Sequence, residues 1–477
     1  MSEIKFGTDG WRAIIAREFT FSNCRVVAQG IASYLNCTNL AKKGVIIGYD
    51  NRFMSKEFAE ECARVLVGNG IKTFMLNKVS PTPVTAYAVH LKGAGGGLMI
   101  TASHNPPEYN GIKFIPYYAG PALPEVTDAI EKEINRVKEN GKIYELDLSE
   151  AVELSLYQEI EADNEYINHI RKLIEGDFFK KRKIKIISNP MYGAGVGYLD
   201  PILTDLGCEL RTINNHRDVL FGGAMPEPIS RLLGDLKRAV VSYNADIGLA
   251  LDGDADRFGI IDGSGSFISA NQIMPLLLEH LLSTRKWRGP VCRSVGTTHI
   301  LDKVARSYGL SVIETPVGFK YISEALREKG CIIGCEESGG MSIFGHIPEK
   351  DGILGCLLAV EMLAFTGKSL AELTEDLRNK YGQSSNQRMD IKVSSIDQPE
   401  ILDSIKAFNP KVIAGVKVES VNDTDGRKIV LEDESWILIR YSGTEPVFRI
   451  YVEAENESRM LQMQDEVLES LGMKPKI

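Results

Sequence analysis

The order of elements in this 477-residue chain predicts an α/β fold of three related layers, followed by a smaller α+β domain. Three observations predict it. Short apolar runs alternate with amphipathic stretches as far as Phe365, as in layers of largely parallel strands. Three of those runs end in polar loops, at Ser103, Asp252 and Glu336. From about Gln383 the texture changes to adjacent strands with few helices. Ligands of open α/β sheets gather outside the carboxyl ends of strands, so the three loops are expected around one central cleft. The expected domains are residues 1–150, 151–268, 269–382 and 383–477.

The elements follow in order. Gly7-Thr8-Asp9-Gly10 is turn-like and fixes the backbone around Arg12. Val26, Val27, Ile31 and Leu35 give Phe21–Tyr34 helical spacing. Gly44–Asp50 is a strand, Ser55–Val67 a helix with Ser55 as cap, Ile71–Leu76 a strand and Pro83–Leu91 a helix. Gly97–Thr101 is an apolar strand that meets Ser103-His104-Asn105-Pro106-Pro107, where prolines force a turn. Asn110-Gly111 marks a further turn, with Lys113 opening a short strand. Pro124–Glu139 is a charged helix, and acidic Tyr144–Glu153 a link. The second layer opens with a helix over Tyr157–Ile174, then a strand at Ile184–Ser188 and another at Asp246–Leu251. A hairpin turns on Asp262-Gly263-Ser264-Gly265. The third layer has strands at Val291–Val295, Ser311–Glu314 and Ile332–Gly334. Its helices are Thr297–Tyr308, capped by Thr297 or Thr298, then Lys320–Lys329 and Gly352–Phe365. The last domain alternates strands from Met389 to Val452 and carries helices at Ile401–Phe408 and Glu457–Leu471.

The net charge of −9 gives no basic surface for nucleic acid. Eight scattered cysteines form no CxxC pair, which removes zinc-ribbon and redox motifs; most sit beside apolar residues as expected of buried thiols, and Cys335 is set apart by its acidic neighbour Glu336. No window approaches about 20 apolar residues, and Met1-Ser2-Glu3-Ile4-Lys5 lacks the apolar run of a signal peptide. The expectation is a cytoplasmic protein without membrane or nucleic-acid partners; oligomeric state is not legible.

Ser103 on a tight turn at a strand end is either a nucleophile beside His104 or a loop serine. Asp252, Asp254 and Asp256 put three carboxylates within five residues after an apolar strand. Such a set either holds a hard cation such as Mg²⁺ or lies exposed in solvent. An EF-hand is excluded, because Arg257 stands where glycine is needed and Gly263 where the bidentate glutamate belongs. Arg440-Tyr441-Ser442-Gly443-Thr444 supplies the hydroxyls, turn amides and guanidinium that suit a phosphate, with Arg449 nearby; a Ser-Gly hairpin would read the same. Arg12, Lys113, Arg257, Lys320 and Lys350 are candidate cations, and Glu336 and Ser338 could accept or donate to sugar hydroxyls.

Taken together, Thr101–Pro106, Asp252–Arg257, Glu336–Gly339 and Arg440–Pro446 resemble, in order, the motifs of the α-D-phosphohexomutases, the phosphoglucomutases and phosphomannomutases. The resemblance covers essentially the whole chain. It implies three related mixed-sheet α/β/α domains and a smaller C-terminal domain closing over the cleft. It implies Ser103 as phosphoserine, with Asp252, Asp254, Asp256 and an oxygen on Ser103 holding Mg²⁺. Lys113 would move protons, with Arg12, Arg257 and His104 beside the reacting group. Gly318, Lys320, Glu336, Ser338, His346 and Lys350 would meet the substrate, and Arg440, Ser442, Gly443, Thr444 and Arg449 would hold its non-reacting phosphate. The implied reaction interconverts sugar 1- and 6-phosphates, most simply glucose, through a 1,6-bisphosphate that also serves as activator. Mannose, glucosamine and pentose phosphates stand as alternatives on the same chemistry, with a phosphatase or a sugar-phosphate sensor further off. Two departures bear on specificity: Gly340 replaces the histidine of one branch after Glu-x-Ser-Gly, and Val317 replaces a threonine before Gly318.

Overall fold

The computed structural model describes residues 4–7, 10–392, 398–441 and 447–472. It resolves into two compact units. The first runs from the N-terminus to Ser269 and adds residues 326–328 and Ser338–Leu370; the second holds Ala270–Ala325, Lys329–Glu337 and the chain from Ala371 onward.

In the first unit, β1 (Trp11–Ile14), β2 (Val45–Tyr49), β3 (Thr73–Leu76), β4 (Gly96–Ile100), β5 (Tyr109–Pro116) and β6 (Tyr157–Ile160) form one sheet in the order β1-β5-β4-β2-β3-β6. β4, β2, β3 and β6 run parallel, while β5 is antiparallel to both β4 and β1. Every residue of β2 and β4 is buried, as expected of central strands covered on both faces. The helices Phe21–Cys37, Ser55–Gly68 and Pro124–Asn140 place Val27, Ile31, Phe58, Leu66 and Ile134 in the core with Ile47, Leu98 and Ile100 of the sheet.

A second sheet in the same unit has the order β11-β10-β9-β7-β8. Its strands are β7 (Lys185–Asn189), β8 (Glu209–Thr212), β9 (Ile247–Leu251), β10 (Phe258–Asp262) and β11 (Phe267–Ile268). The helix Gly352–Thr366, placed in the third layer by chain order, packs instead on β9 and β10 of this sheet. It is apolar almost all round and buried from Gly352 to Ala364, which suits a helix enclosed within a layer.

In the second unit, β12 (Val291–Ser294) lies between β13 (Val312–Thr315) and β14 (Ile333–Cys335), all parallel. A short β15 (Met341–Ile343) follows in the chain and belongs to the first unit. The last sheet is wholly antiparallel, in the order β16-β21-β20-β19-β18-β17. Its strands are β16 (Ser385–Lys392), β17 (Val412–Ile413), β18 (Val416–Asn422), β19 (Arg427–Leu431), β20 (Trp436–Tyr441) and β21 (Val447–Ala454). Within this unit Val295 packs with Trp436, Leu438 and Tyr451. No single described helix is long and apolar enough to cross a membrane.

Local expectations fail where tertiary pairing overrides a local signal. Asn110-Gly111 is not a turn but lies inside β5; a Cβ on Gly111 would sit 2.5 Å from the Trp11 carbonyl oxygen and 2.6 Å from that of Thr101. Glycine there serves close approach of two neighbouring chains. Tyr157–Ile160 is a strand paired with β3, and only Asp163–Leu173 is helical. The first sheet therefore extends to Ile160, and the acidic link before it contains a short helix at Leu148–Glu153. Ser55 is the first helical residue rather than the cap, its hydroxyl donating to Asp50 Oδ1 at 2.7 Å. The helix expected from Thr297 begins at Ile300, with Thr298 Oγ1 accepting from the Ile300 N–H at 3.1 Å.

Candidate active site

β4 delivers the chain to Ser103, which adopts a left-handed backbone (φ 53°) and is 1% exposed. Its Oγ donates to Asp252 Oδ2 at 3.0 Å and lies 3.2 Å from His104 Nδ1. Its N–H donates to Thr101 Oγ1 at 2.8 Å, and that hydroxyl donates to Asp50 Oδ2 at 2.6 Å. Arg12 Nη1 donates to Asn105 Oδ1 at 2.7 Å, so a cation from β1 borders the same loop.

β9 ends at Leu251, and the next loop brings the acidic residues to Ser103. A Cβ on Gly253 would stand 2.4 Å from the Ser103 carbonyl oxygen, which only glycine permits. Asp252, Asp254 and Asp256 are fully buried, and one oxygen from each lies within 4.8 Å of the others. Asp252 Oδ1 accepts the Arg257 N–H at 3.0 Å. Lys113 Nζ bridges Asp254 Oδ2 at 2.8 Å and Asp256 Oδ2 at 3.0 Å. Lys350 Nζ reaches Asp256 Oδ2 at 3.0 Å, and Thr82 donates to Asp254 Oδ2 at 2.7 Å. Asp254 Oδ1 and Asp256 Oδ1 are buried and receive no hydrogen bond from any described residue.

This arrangement sets the charges apart. Burial, then repulsion from Asp254 and Asp256, pushes the Asp252 carboxyl well above the usual range. Burial also opposes ionisation of Asp256, but Lys113, Lys350 and Arg257 override it and hold that carboxyl well below the usual range. Burial, then the charges of Arg257 and Arg12, lowers the His104 imidazole far enough to keep it neutral near pH 7. An oxygen-only cluster with two unsatisfied buried acceptors suits a hard divalent cation.

The other sequence candidates divide between the units. Ser338 is partly buried in the first unit, two residues before the Arg257–Gly340 backbone bridge. The His346 ring is buried and engaged at both nitrogens, by His169 Nε2 at 3.0 Å and Asp351 Oδ2 at 2.9 Å. It is therefore an internal link, with no ring nitrogen left for a substrate. In the second unit the Gly318 N–H donates to Glu336 Oε1 at 3.0 Å, and Lys320 lies over the Tyr321 ring. Arg440 and Arg449 face each other across β20 and β21; Arg440 pairs with Asp425 at 3.1 Å and Arg449 with Asp390 at 3.9 Å. Ser442, Gly443 and Thr444 lie outside the described residues. Cys335, beside Glu336, is buried, and burial pushes its thiol up to about 12, which leaves it a packing residue.

Sequence reasoning missed Asp50 and Arg52. They follow β2 as Ser103 follows β4, a polar pair just past an entirely apolar strand, and that shared position was the available signal.

Comparison with known proteins places this geometry. Four consecutive family models of phosphoglucomutase/phosphomannomutase match: α/β/α domain I over residues 3–141, domain II over 164–265, domain III over 269–381 and the C-terminal domain over 391–470. A phosphoglucomutase/phosphomannomutase of Thermococcus kodakarensis is 31% identical over 95% of both chains. The chain belongs to the phosphoglucomutase/phosphomannomutase family. It is thus a phosphohexomutase, an intramolecular phosphotransferase of mixed α/β architecture. A phosphoglucosamine mutase of Desulforamulus reducens is 31% identical over 98% of this chain and 99% of its own. The crystal structure of a candidate phosphomannomutase of Thermus thermophilus superposes on the hexomutase with a TM-score of 0.83, at 32% identity, covering 99% of this chain and 100% of that one.

Proposed function

We propose that this phosphohexomutase interconverts glucose 1-phosphate and glucose 6-phosphate with Ser103 as its phosphoryl carrier. The observation that carries the reading is the buried Ser103 hydroxyl on Asp252, at the edge of three carboxylates that Lys113 and Lys350 enter. A serine so placed is poorly served by a conventional base, since burial and the charges of Arg257 and Arg12 make the His104 imidazole a weak proton acceptor. It is placed where a phosphoryl group would be surrounded by charge.

Asp252, Asp254 and Asp256, with an oxygen of the Ser103 group, would hold Mg²⁺; the donor-free Oδ1 atoms of Asp254 and Asp256 support that fit. When bound, the ion supplies positive charge against the phosphoryl oxygens. The chain's own residues do the rest. The sugar hydroxyl attacks phosphorus, and the bond from phosphorus to Ser103 Oγ breaks with its electron pair left on oxygen. Lys113 Nζ gives a proton to Oγ and takes one from the attacking hydroxyl. Arg12, Arg257 and Lys350 balance the oxygens of the transferring group. The resulting 1,6-bisphosphate turns over and returns its other phosphoryl group to Ser103. Glu336 and Ser338 are the proposed partners of the sugar hydroxyls. Gly318, Lys320, Arg440, Ser442, Gly443, Thr444 and Arg449 are the proposed partners of the remote phosphate.

A second reading keeps the chemistry and changes the sugar to glucosamine phosphate; the Desulforamulus relative's name favours it. The deciding experiment compares kcat/KM for glucose, glucosamine and mannose 1-phosphates, each with a catalytic amount of its own 1,6-bisphosphate and Mg²⁺. The highest value for glucose supports the first reading and the highest for glucosamine the second. Release of inorganic phosphate without isomerisation would overturn both.

A further inference from the structure

We propose that Arg52, buttressed by Asp50 and Thr101, is the positioning residue that holds Ser103 in its left-handed conformation with Oγ aimed at Asp252. The inference rests on Ser103 being the phosphoryl carrier. Arg52 is fully buried, and its guanidinium donates to four backbone carbonyls of one loop. Nη2 reaches the oxygens of Ser103 at 2.7 Å and Asn105 at 2.6 Å; Nη1 reaches those of Pro106 at 2.8 Å and Tyr109 at 3.0 Å. Its Nε lies 3.3 Å from Asp50 Oδ2, and the Phe221 ring lies 5.0 Å from the guanidinium carbon.

The two ends of the Ser103 residue meet in this pair. Its carbonyl is held by Arg52 directly, and its N–H by Thr101 Oγ1, which is itself fixed on Asp50. Asp50 also accepts from the Arg52 N–H at 3.0 Å and from Ser55 Oγ at 2.7 Å, so both its oxygens are committed. A non-glycine residue stays left-handed only where its surroundings over-determine it. Here the over-determination is a planar fork whose two terminal nitrogens match a fan of four carbonyls, a match that a lysine point charge cannot make. Arg52 bonds to the Ser103 carbonyl rather than to Oγ, so its effect is geometric. A shift of Oγ by about 1 Å is enough to cost on the order of 100-fold in rate.

The test is steady-state kinetics of Arg52→Lys, together with the rate at which glucose 1,6-bisphosphate phosphorylates the Ser103 peptide. The expected result is kcat lowered on the order of 100-fold, KM for the sugar phosphate within about two-fold of wild type, and phosphorylation of Ser103 slowed by the same factor as kcat. A merely structural arginine predicts a lower melting temperature with kcat per folded molecule intact, and that result overturns the proposal. So does a loss carried by KM. If Arg52→Lys does not fold, Thr101→Val, which keeps the packing and removes the hydroxyl under the Ser103 N–H, is read by the same split. Full kcat in that variant overturns the proposal. Wild-type protein that takes no phosphate on Ser103 overturns the carrier reading instead, and so separates the two failures.

Discussion

Asp252 and Asp256 are two buried carboxylates four residues apart, and the structure predicts opposite consequences of neutralising them. Asp256 Oδ2 receives both Lys113 and Lys350 at 3.0 Å. At an effective dielectric constant near 20, each such pair carries about 5–6 kcal/mol of gross attraction, most of it offset by desolvation. Removing one partner of a buried ion pair typically costs about 3–5 kcal/mol, because the remaining charge stays buried. Metal-free Asp256→Asn should therefore lose stability of that order. Asp252 stands the other way. Its carboxyl is pushed well above the usual range by burial and by the other two aspartates, so its charge is opposed rather than supported. An asparagine there still accepts from the Arg257 N–H through Oδ1 and donates its Nδ2–H to Ser103 Oγ, so metal-free Asp252→Asn should stay within about 1 kcal/mol of wild type. The assay is urea denaturation of chelator-treated protein, repeated with added Mg²⁺. Wild type should gain stability from the ion and both variants should lose that gain. Equal destabilisation of the two metal-free variants, or a larger loss at Asp252, would refute the charge assignment.

Further outcomes follow from the same contacts. Gly253→Ala should cost about 1–3 kcal/mol in denaturation and lower kcat, because its Cβ meets the Ser103 carbonyl at 2.4 Å; unchanged activity would show that the two loops can separate freely. Burial, then Arg293, pushes Lys428 down to about 8, whereas an unfolded lysine titrates near 10.4. Between those values the unfolded chain holds a proton that the native chain has lost. Wild-type stability relative to Lys428→Met should therefore rise with pH across that window, and a falling difference would contradict it. Burial, then His346, pushes His169 down to about 4. Wild type should thus lose stability as pH falls from about 6.5 to 4, and His169→Phe should lose less, both read from melting temperature.

Residues that advertise chemistry by type and strand-end position were legible in the sequence. Ser103 and the three aspartates stood out through the apolar strands before them, whereas Lys113 and Arg257, which lie against the acidic residues, were only candidate cations by residue type and owed their place beside the reacting group to the family resemblance. Arg52 was not legible, because its partners are carbonyls 51 to 57 residues away and carbonyls leave no mark on a sequence. Asn110-Gly111 reads as a turn locally, and pairing of β5 with β1 and β4 overrules it. Tyr157–Ile160 carries the polar pattern of an exposed edge, which imitates a helix until β3 is seen beside it. His346 lies in a loop motif that suggests a ligand contact, but its partners, His169 and the buried Asp351, turn the ring inward.

The central claim is that Ser103 carries the phosphoryl group. It is tested most directly by acid-quenching the wild-type enzyme after brief incubation with glucose 1,6-bisphosphate and mapping the phosphate by peptide mass. The account predicts one phosphoryl group on the Ser103 peptide, still present when glucose 1-phosphate is added before the quench because each cycle returns one to the serine, and none in Ser103→Ala, which does not turn over. Phosphate on Asp252 or Asp254, or wild-type turnover in Ser103→Ala, would contradict it.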